Sequence, residues 1–270
     1  MSARAEAGDA AGVASELPAS VLVRVFLRSL LLQASWNRRG MQNLGVAYAL
    51  WPALERLYPD PGRRAAAAAR HLAFFNTHPY LAPAILGGAL RHEVRVARGE
   101  EPAEAVERFK AALMGPFAAV GDSFFWLSLR PFAGMWAALL APWIGLWAVA
   151  LFLVLYNVPH LILRVRLFVA GWRGGDRVVE QVARAGLPKW GARLRRTSAV
   201  GGGAAVVVGV HLLTGPGLPV EPARWLAVAS FAALVVFFGT WALLARRGAH
   251  WAAFAAVLLG IGLAFAGAGW

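Results

Sequence analysis

Cysteine is absent from this chain, which excludes a disulfide framework, thiol catalysis and a thiolate metal site. Charge is missing from four long stretches. Phe132–Leu163, Ala199–Val220, Trp225–Ala245 and Gly248–Trp270 contain no Asp, Glu, Lys or Arg, and each exceeds the roughly 20 residues a helix needs to cross a bilayer. A cleavable secretory signal is also missing, because the first 18 residues are Ala-rich and charged with no apolar core. That stretch reads as a disordered tail. No internal repeat is found. The six histidines, His71, His78, His92, His160, His211 and His250, show no HExxH or comparable ligand spacing, so neither a metal site nor an intramembrane metalloenzyme is indicated.

What is present points to lipid. Several of the 12 tryptophans (Trp126, Trp172, Trp225, Trp270) flank the uncharged runs, as an interfacial belt does. The net charge of +13 sits beside those runs, so anionic headgroups and orientation explain it more simply than nucleic acid. Arg164–Arg196 carries nine basic residues against Asp176 and Glu180. The positive-inside tendency places it in the cytoplasm as a loop, with Arg246–Arg247 as a second cytoplasmic loop. The link Pro219–Arg224 and the C-terminal Trp270 are then external. Gly201–Gly203 permits close helix packing.

The stretch that organises the chain is Gly115–Pro131, GPFAAVGDSFFWLSLRP. It is apolar, yet holds Asp122 and Ser123 among aromatic residues. Pro116 and Gly121 are expected to interrupt the helix. A broken helix with a carboxylate at membrane depth is tolerated inside protein or against water, as in a solute pathway. A turn that merely precedes the first span, with Asp122 capping a helix at Ser123, is the plainer alternative. In the pathway reading Asp122 joins Asn76 and Thr77 from another polar turn.

The first half reads as amphipathic and broken helices. Ser20 is expected to cap a helix over Val21–Ala34 bearing Arg24 and Arg28. The polar run from Gln33 through Trp36 and Asn37 to Asn43 suits a sugar, or equally helix caps and an interfacial anchor. Leu44–Leu57 is a helix interrupted by Pro52. Asp60 and Pro61 start the next helix, Arg63–Phe75, which ends at Asn76-Thr77-His78-Pro79. Tyr80–Leu90 follows, then a short solvated helix from Glu100 on which Glu104 and Arg108 are spaced to pair. The fold class is all-α: a polytopic helical membrane protein with one domain over 19–270. Residues 19–131 supply amphipathic or re-entrant helices, and residues 132–270 supply spanning ones.

Several motifs resemble one family in order and spacing. They are LLLQASWN (Leu30–Asn37), MQNLGVAYAL (Met41–Leu50), LYPD (Leu57–Asp60), RHLAFFNTHPYLAPAILG (Arg70–Gly87), the segments LMGP, GDSFFW and LRP within Leu113–Pro131, and NVPH (Asn157–His160). Together they resemble the enzyme IID component of the mannose/fructose/sorbose-type sugar phosphotransferase system (PTS), closely over Leu22–Trp172 and loosely beyond. The resemblance implies a multi-pass subunit of the bacterial inner membrane that pairs with a IIC subunit, as a trimer of IIC–IID units. It implies movement of a hexose phosphorylated by soluble IIA and IIB components, whose histidines carry the phosphoryl group. This chain is then non-catalytic and needs no cofactor. The substrate pathway or subunit interface is expected at Gln33, Trp36, Asn37, Asn76, Thr77, His78, Asp122, Ser123 and Arg130. Two departures stand out: Phe117–Ala119 where a glycine is commoner, and a short external link. The alternatives are a IID-like regulatory scaffold for PTS components, or an unrelated polytopic transporter subunit.

Overall fold

The computed structural model describes residues 17–214. The tail before Leu17, the runs Trp225–Ala245 and Gly248–Trp270, the link Pro219–Arg224 and the Arg246–Arg247 loop lie outside the described residues. The chain divides into two compact units, residues 1–199 and 200–270. The described part of the second is the end of one helix.

The described residues are almost wholly helical, with no strand among them and only two isolated bridges, Asn37 to Met41 and Met41 to Phe75. Helix α1 (Ala19–Ser29) is followed by turns rather than by helix through Ala34, and it starts after Pro18 with no capping side chain, so Ser20 is not its cap. It buries Val25 and Ser29 and leaves Val23 and Leu27 exposed. Two faces of one short helix are thus apolar, as an interfacial helix requires. Helix α2 (Asn43–Leu57) runs unbroken through Pro52, which is buried. Helix α3 (Pro61–His71) starts as the sequence dictates: the Asp60 carboxylate accepts from the Arg63 N–H at 2.7 Å, and Pro61 occupies the first turn. It ends four residues earlier than expected, at His71.

Helix α4 (Ala82–Ala97) is the centre of the first unit, buried along most of its length. It crosses helix α7 (Trp147–Gly174) at backbone distance. A Cβ on Gly87 would lie 2.3 Å from the Phe168 carbonyl oxygen, and one on Gly171 would lie 2.2 Å from that of Ala84. Only glycine at both positions permits this approach.

Helix α5 (Glu104–Gly121) corrects the expected break. Pro116 lies inside it, and helix continues through a π-helical segment, Asp122–Leu129, into α6 (Arg130–Ile144). Proline deletes one N–H and crowds one carbonyl, a local cost that packing offsets here. Glu104 and Arg108 form no ion pair among the described residues. The uncharged run Phe132–Leu163 is also not one span. Gly145, at φ 55°, breaks it into α6 and α7, a backbone state that favours glycine. Residues Glu104–Ile144 and Trp147–Ala205 form two helical stretches long and apolar enough to cross a membrane. Trp143, Leu146 and Trp147 are exposed at the hairpin tip between them. The basic stretch Arg164–Arg196 is helical rather than a loop: it contains the end of α7, a 3-10 turn (Gly175–Arg177), α8 (Val178–Arg184) and the start of α9 (Leu187–Thr214).

Candidate functional site: the junction of the polar turn, the π-helical segment and α7

Two polar motifs of the first half are knitted into one platform. Asn37 and Met41 exchange backbone hydrogen bonds at 3.1 and 2.9 Å. The Asn37 Oδ1 accepts from the N–H groups of Arg39 and Gly40, and its Nδ2 donates to Asn43 Oδ1 at 2.9 Å. Asn43 donates onward to the Leu72 carbonyl at 2.6 Å. Gln42 holds the second turn in both directions, donating to the Thr77 carbonyl (2.7 Å) and accepting from its N–H (3.2 Å). Asn37 and buried Thr77 therefore position two turns, while Gln33, Trp36 and Asn76 stay exposed.

His78 carries the platform to the π-helical segment. Its ring stacks on Phe125 (4.8 Å between centroids, 14°) and meets the rings of Trp126 and Tyr80 edge-on. Gly121 makes room for it, since a Cβ there would lie 2.3 Å from His78 Cβ. His78 Nδ1 accepts from the Tyr80 N–H at 3.2 Å, which leaves the proton on Nε2. Burial, with the nearby Arg164 charge, holds His78 down to about 4, so the ring is neutral at physiological pH.

The two motifs thus meet through His78, and not through Asp122 with Asn76 and Thr77. Asp122 is exposed and has no hydrogen bond or ion pair among the described residues, and it caps no helix. Ser123 offers its carbonyl to the Ser128 hydroxyl at 2.7 Å. Ser128 in turn accepts from Arg195 Nη1 on α9 at 2.6 Å. Arg130 is exposed and stands over the Trp126 ring at 5.6 Å.

Four further residues complete the junction, and motif reading of the first half missed them as a group. Tyr80 stacks on His160 of α7 (4.2 Å, 8°), and its hydroxyl lies 3.2 Å from that of Tyr156. Arg164 sits over the Tyr80 ring at 4.7 Å and donates to the Pro79 carbonyl at 3.1 Å. Residues 156, 160 and 164 are spaced at i, i+4 and i+8, one face of a helix. That spacing was the signal available. His78 Nε2, His160 Nδ1 and Arg164 Nε are buried without a hydrogen-bond partner among the described residues.

A separate buried network binds the first half together. Glu93 on α4 accepts from Arg70 Nε (2.7 Å) and Nη2 (3.0 Å), from the Tyr58 hydroxyl (2.6 Å) and from His71 Nε2 (2.8 Å). Lys110 Nζ donates to the Arg70 carbonyl at 2.6 Å and lies 3.4 Å from His71 Nδ1. Burial depresses His71, so the neutral ring donates through Nε2 and accepts through Nδ1. Burial pushes the Glu93 carboxyl up, but the bonds and charges of His71 and Arg70 outweigh it and hold the group down to about 2. No cluster of three or more His, Asp or Glu side chains suited to a metal occurs among the described residues.

The arrangement defines a class: a helical membrane protein in which a polar turn and an irregular helix meet against a spanning helix. Comparison with known proteins is specific. The family model of the PTS system mannose/fructose/sorbose family IID component matches residues 16–208. The mannose-specific EIID component of Escherichia coli (strain K12) is 40% identical over 167 residues, 61% of this chain and 59% of that protein. The sorbose-specific EIID component of Klebsiella pneumoniae is 37% identical over 162 residues, 60% of this chain and 59% of that protein. The match thus spans less than two thirds of the length of these curated relatives. A cryo-EM structure of the mannose transporter ManYZ in complex with microcin E492 superposes with a TM-score of 0.58 at 30% identity, covering 94% of this chain and 98% of that one. This chain belongs to the mannose/fructose/sorbose family of PTS IID components.

Proposed function

We propose that this chain is the IID subunit of a phosphoenolpyruvate-dependent hexose permease in a bacterial inner membrane. It crosses that membrane several times, pairs with a IIC subunit, assembles as a trimer of such pairs and lines the sugar path with its partner. The observation that carries this reading is that the family match, residues 16–208, takes in every residue of the junction between the polar turn, the π-helical segment and α7. The phosphoryl-carrying histidines belong to the IIA and IIB components, and this chain is non-catalytic. Burial supports that assignment: His71, His78, His92 and His160 are all buried, out of reach of a phosphocarrier. The pathway or subunit-interface role belongs to the exposed Gln33, Trp36, Asn76, Asp122 and Arg130, with Asn37, Thr77, His78 and Ser123 behind them.

The test is sugar phosphorylation by intact cells that carry the matching IIC, IIA and IIB components, with and without this chain. Accumulation of sugar phosphate only when the chain is present is the expected result. Undiminished uptake without it, with altered phosphorylation of the soluble components, assigns the chain to a regulatory scaffold instead.

A further inference from the structure

Arg164 is 7% exposed and has no carboxylate within ion-pair distance among the described residues. Its contacts are one carbonyl, from Pro79, and one ring face, that of Tyr80. Neither cancels a full charge, and a buried cation without an anion is costly. The neighbouring histidines do not help, since His78 and His160 each keep an unpartnered ring nitrogen. Arg130 comes from the other limb of the hairpin, and Tyr156 lies within electrostatic reach of both arginines. Between the two cations stand the facing hydroxyls of Tyr80 and Tyr156, both partly exposed. The surrounding surface is apolar and aromatic: Trp126, Leu127, Val158, Leu161 and Ile162 are all exposed. Tryptophan, tyrosine and arginine within an apolar field are the anchors of a protein interface.

We infer that Arg130 and Arg164, with the hydroxyls of Tyr80 and Tyr156, form the receiving side of a subunit contact that takes an aspartate or glutamate side chain from the partner membrane subunit. The inference rests on the proposed pairing with IIC and adds the chemistry of the contact. Charge complementarity selects the occupant: two cations and two hydroxyl donors match the two oxygens of one carboxylate. A lipid phosphate fits less well, because Arg164 is packed beneath the turn at Pro79 instead of reaching along the helix toward headgroups.

Carbodiimide coupling tests this directly. Arg130→Lys and Arg164→Lys each keep the positive charge and place a primary amine at the site. The chain otherwise has only Lys110 and Lys189, so the background is low. The full chain is co-expressed with its IIC subunit, membranes are treated with an apolar carbodiimide, and cross-linked peptides are identified by mass spectrometry. The expected result is an amide between the introduced amine and an Asp or Glu of IIC, from either variant. Arg130 is exposed, so its variant remains informative even where Arg164→Lys fails to accumulate. If IIC co-purifies with the variants but no such amide forms, the inference is overturned and the pairing stands. A cross-link to a carboxylate of this chain, such as Asp122, overturns it as well. Failure of the wild-type chain to retain IIC overturns the pairing itself, and the inference with it.

Discussion

Replacing Glu93 by glutamine removes one negative charge from a fully buried site and leaves Arg70 and Lys110 facing each other without it. The carboxylate accepts four hydrogen bonds, from Arg70 twice, Tyr58 and His71. Glutamine supplies one acceptor oxygen and turns the other position into a donor, aimed at groups that are themselves donors. The Glu93 carboxyl is held down to about 2, against an ordinary 4.5. At about 1.4 kcal/mol per pH unit, that gap corresponds to roughly 3 kcal/mol of stability. Breaking a buried pair by removing one partner costs about 3–5 kcal/mol, which agrees. A domain of this size loses about 2–4 °C of melting temperature per kcal/mol, so Glu93→Gln is expected to melt about 6–12 °C lower. Because the folded value is the depressed one, this contribution is fully present above pH 4.5 and is lost as the pH falls through about 2. The variant should therefore also lose part of the acid-sensitivity seen in that window. Intrinsic tryptophan fluorescence of the detergent-solubilised complex reads both effects. A Glu93→Gln protein that melts with the wild type, with the same acid profile, would refute the assignment of Glu93 as the charged keystone of the first half.

Gly121→Ala places a methyl 2.3 Å from His78 Cβ, and overpacking of that kind costs about 1–3 kcal/mol; a lower melting temperature together with weaker sugar uptake is the expected outcome. Asp122→Asn should leave abundance in the membrane normal, because the carboxylate holds nothing within the described residues; uptake measured in the same cells is expected to fall severely, and wild-type uptake would reduce Asp122 to a surface residue. A single cysteine at Ala185, in the basic stretch of a chain with no cysteine of its own, should be labelled by an impermeant maleimide only after the inner face is opened. Labelling from outside would reverse the topology.

The sequence carried the fold class because membrane-length apolar runs and their basic flanks are properties of composition. It carried the start of α3 because Asp60 and Pro61 act locally. It misplaced the breaks. Pro52 and Pro116 sit inside continuous helices, since a local propensity penalty of about 3 kcal/mol yields to packing. The real break lies at Gly145, within a run that looked like one span, because only the tertiary return of α7 onto α4 demands a positive φ there. The candidate site was half legible. Its two polar motifs do meet, but the residue joining them is His78, while Tyr80, Tyr156, His160 and Arg164 are spread over 85 positions and gather only when α7 packs. The Glu93 network was invisible for the same reason: its members come from different helices, and no spacing links them.

The π-helical segment bears on how this chain tolerates change. A π-helix holds more residues per turn than an α-helix, so Asp122–Leu129 stores surplus register within an otherwise α-helical rod. Deleting one residue there need not open a gap; the segment can tighten to ordinary α geometry. The price is angular. Each residue of α-helix turns the chain by about 100°, so everything beyond Leu129 would swing round the axis, carrying Arg130 away from the face it shares with Trp126. In this stretch length is translated into rotation, and a one-residue indel that a loop would absorb becomes a change in which side of the hairpin meets its neighbour.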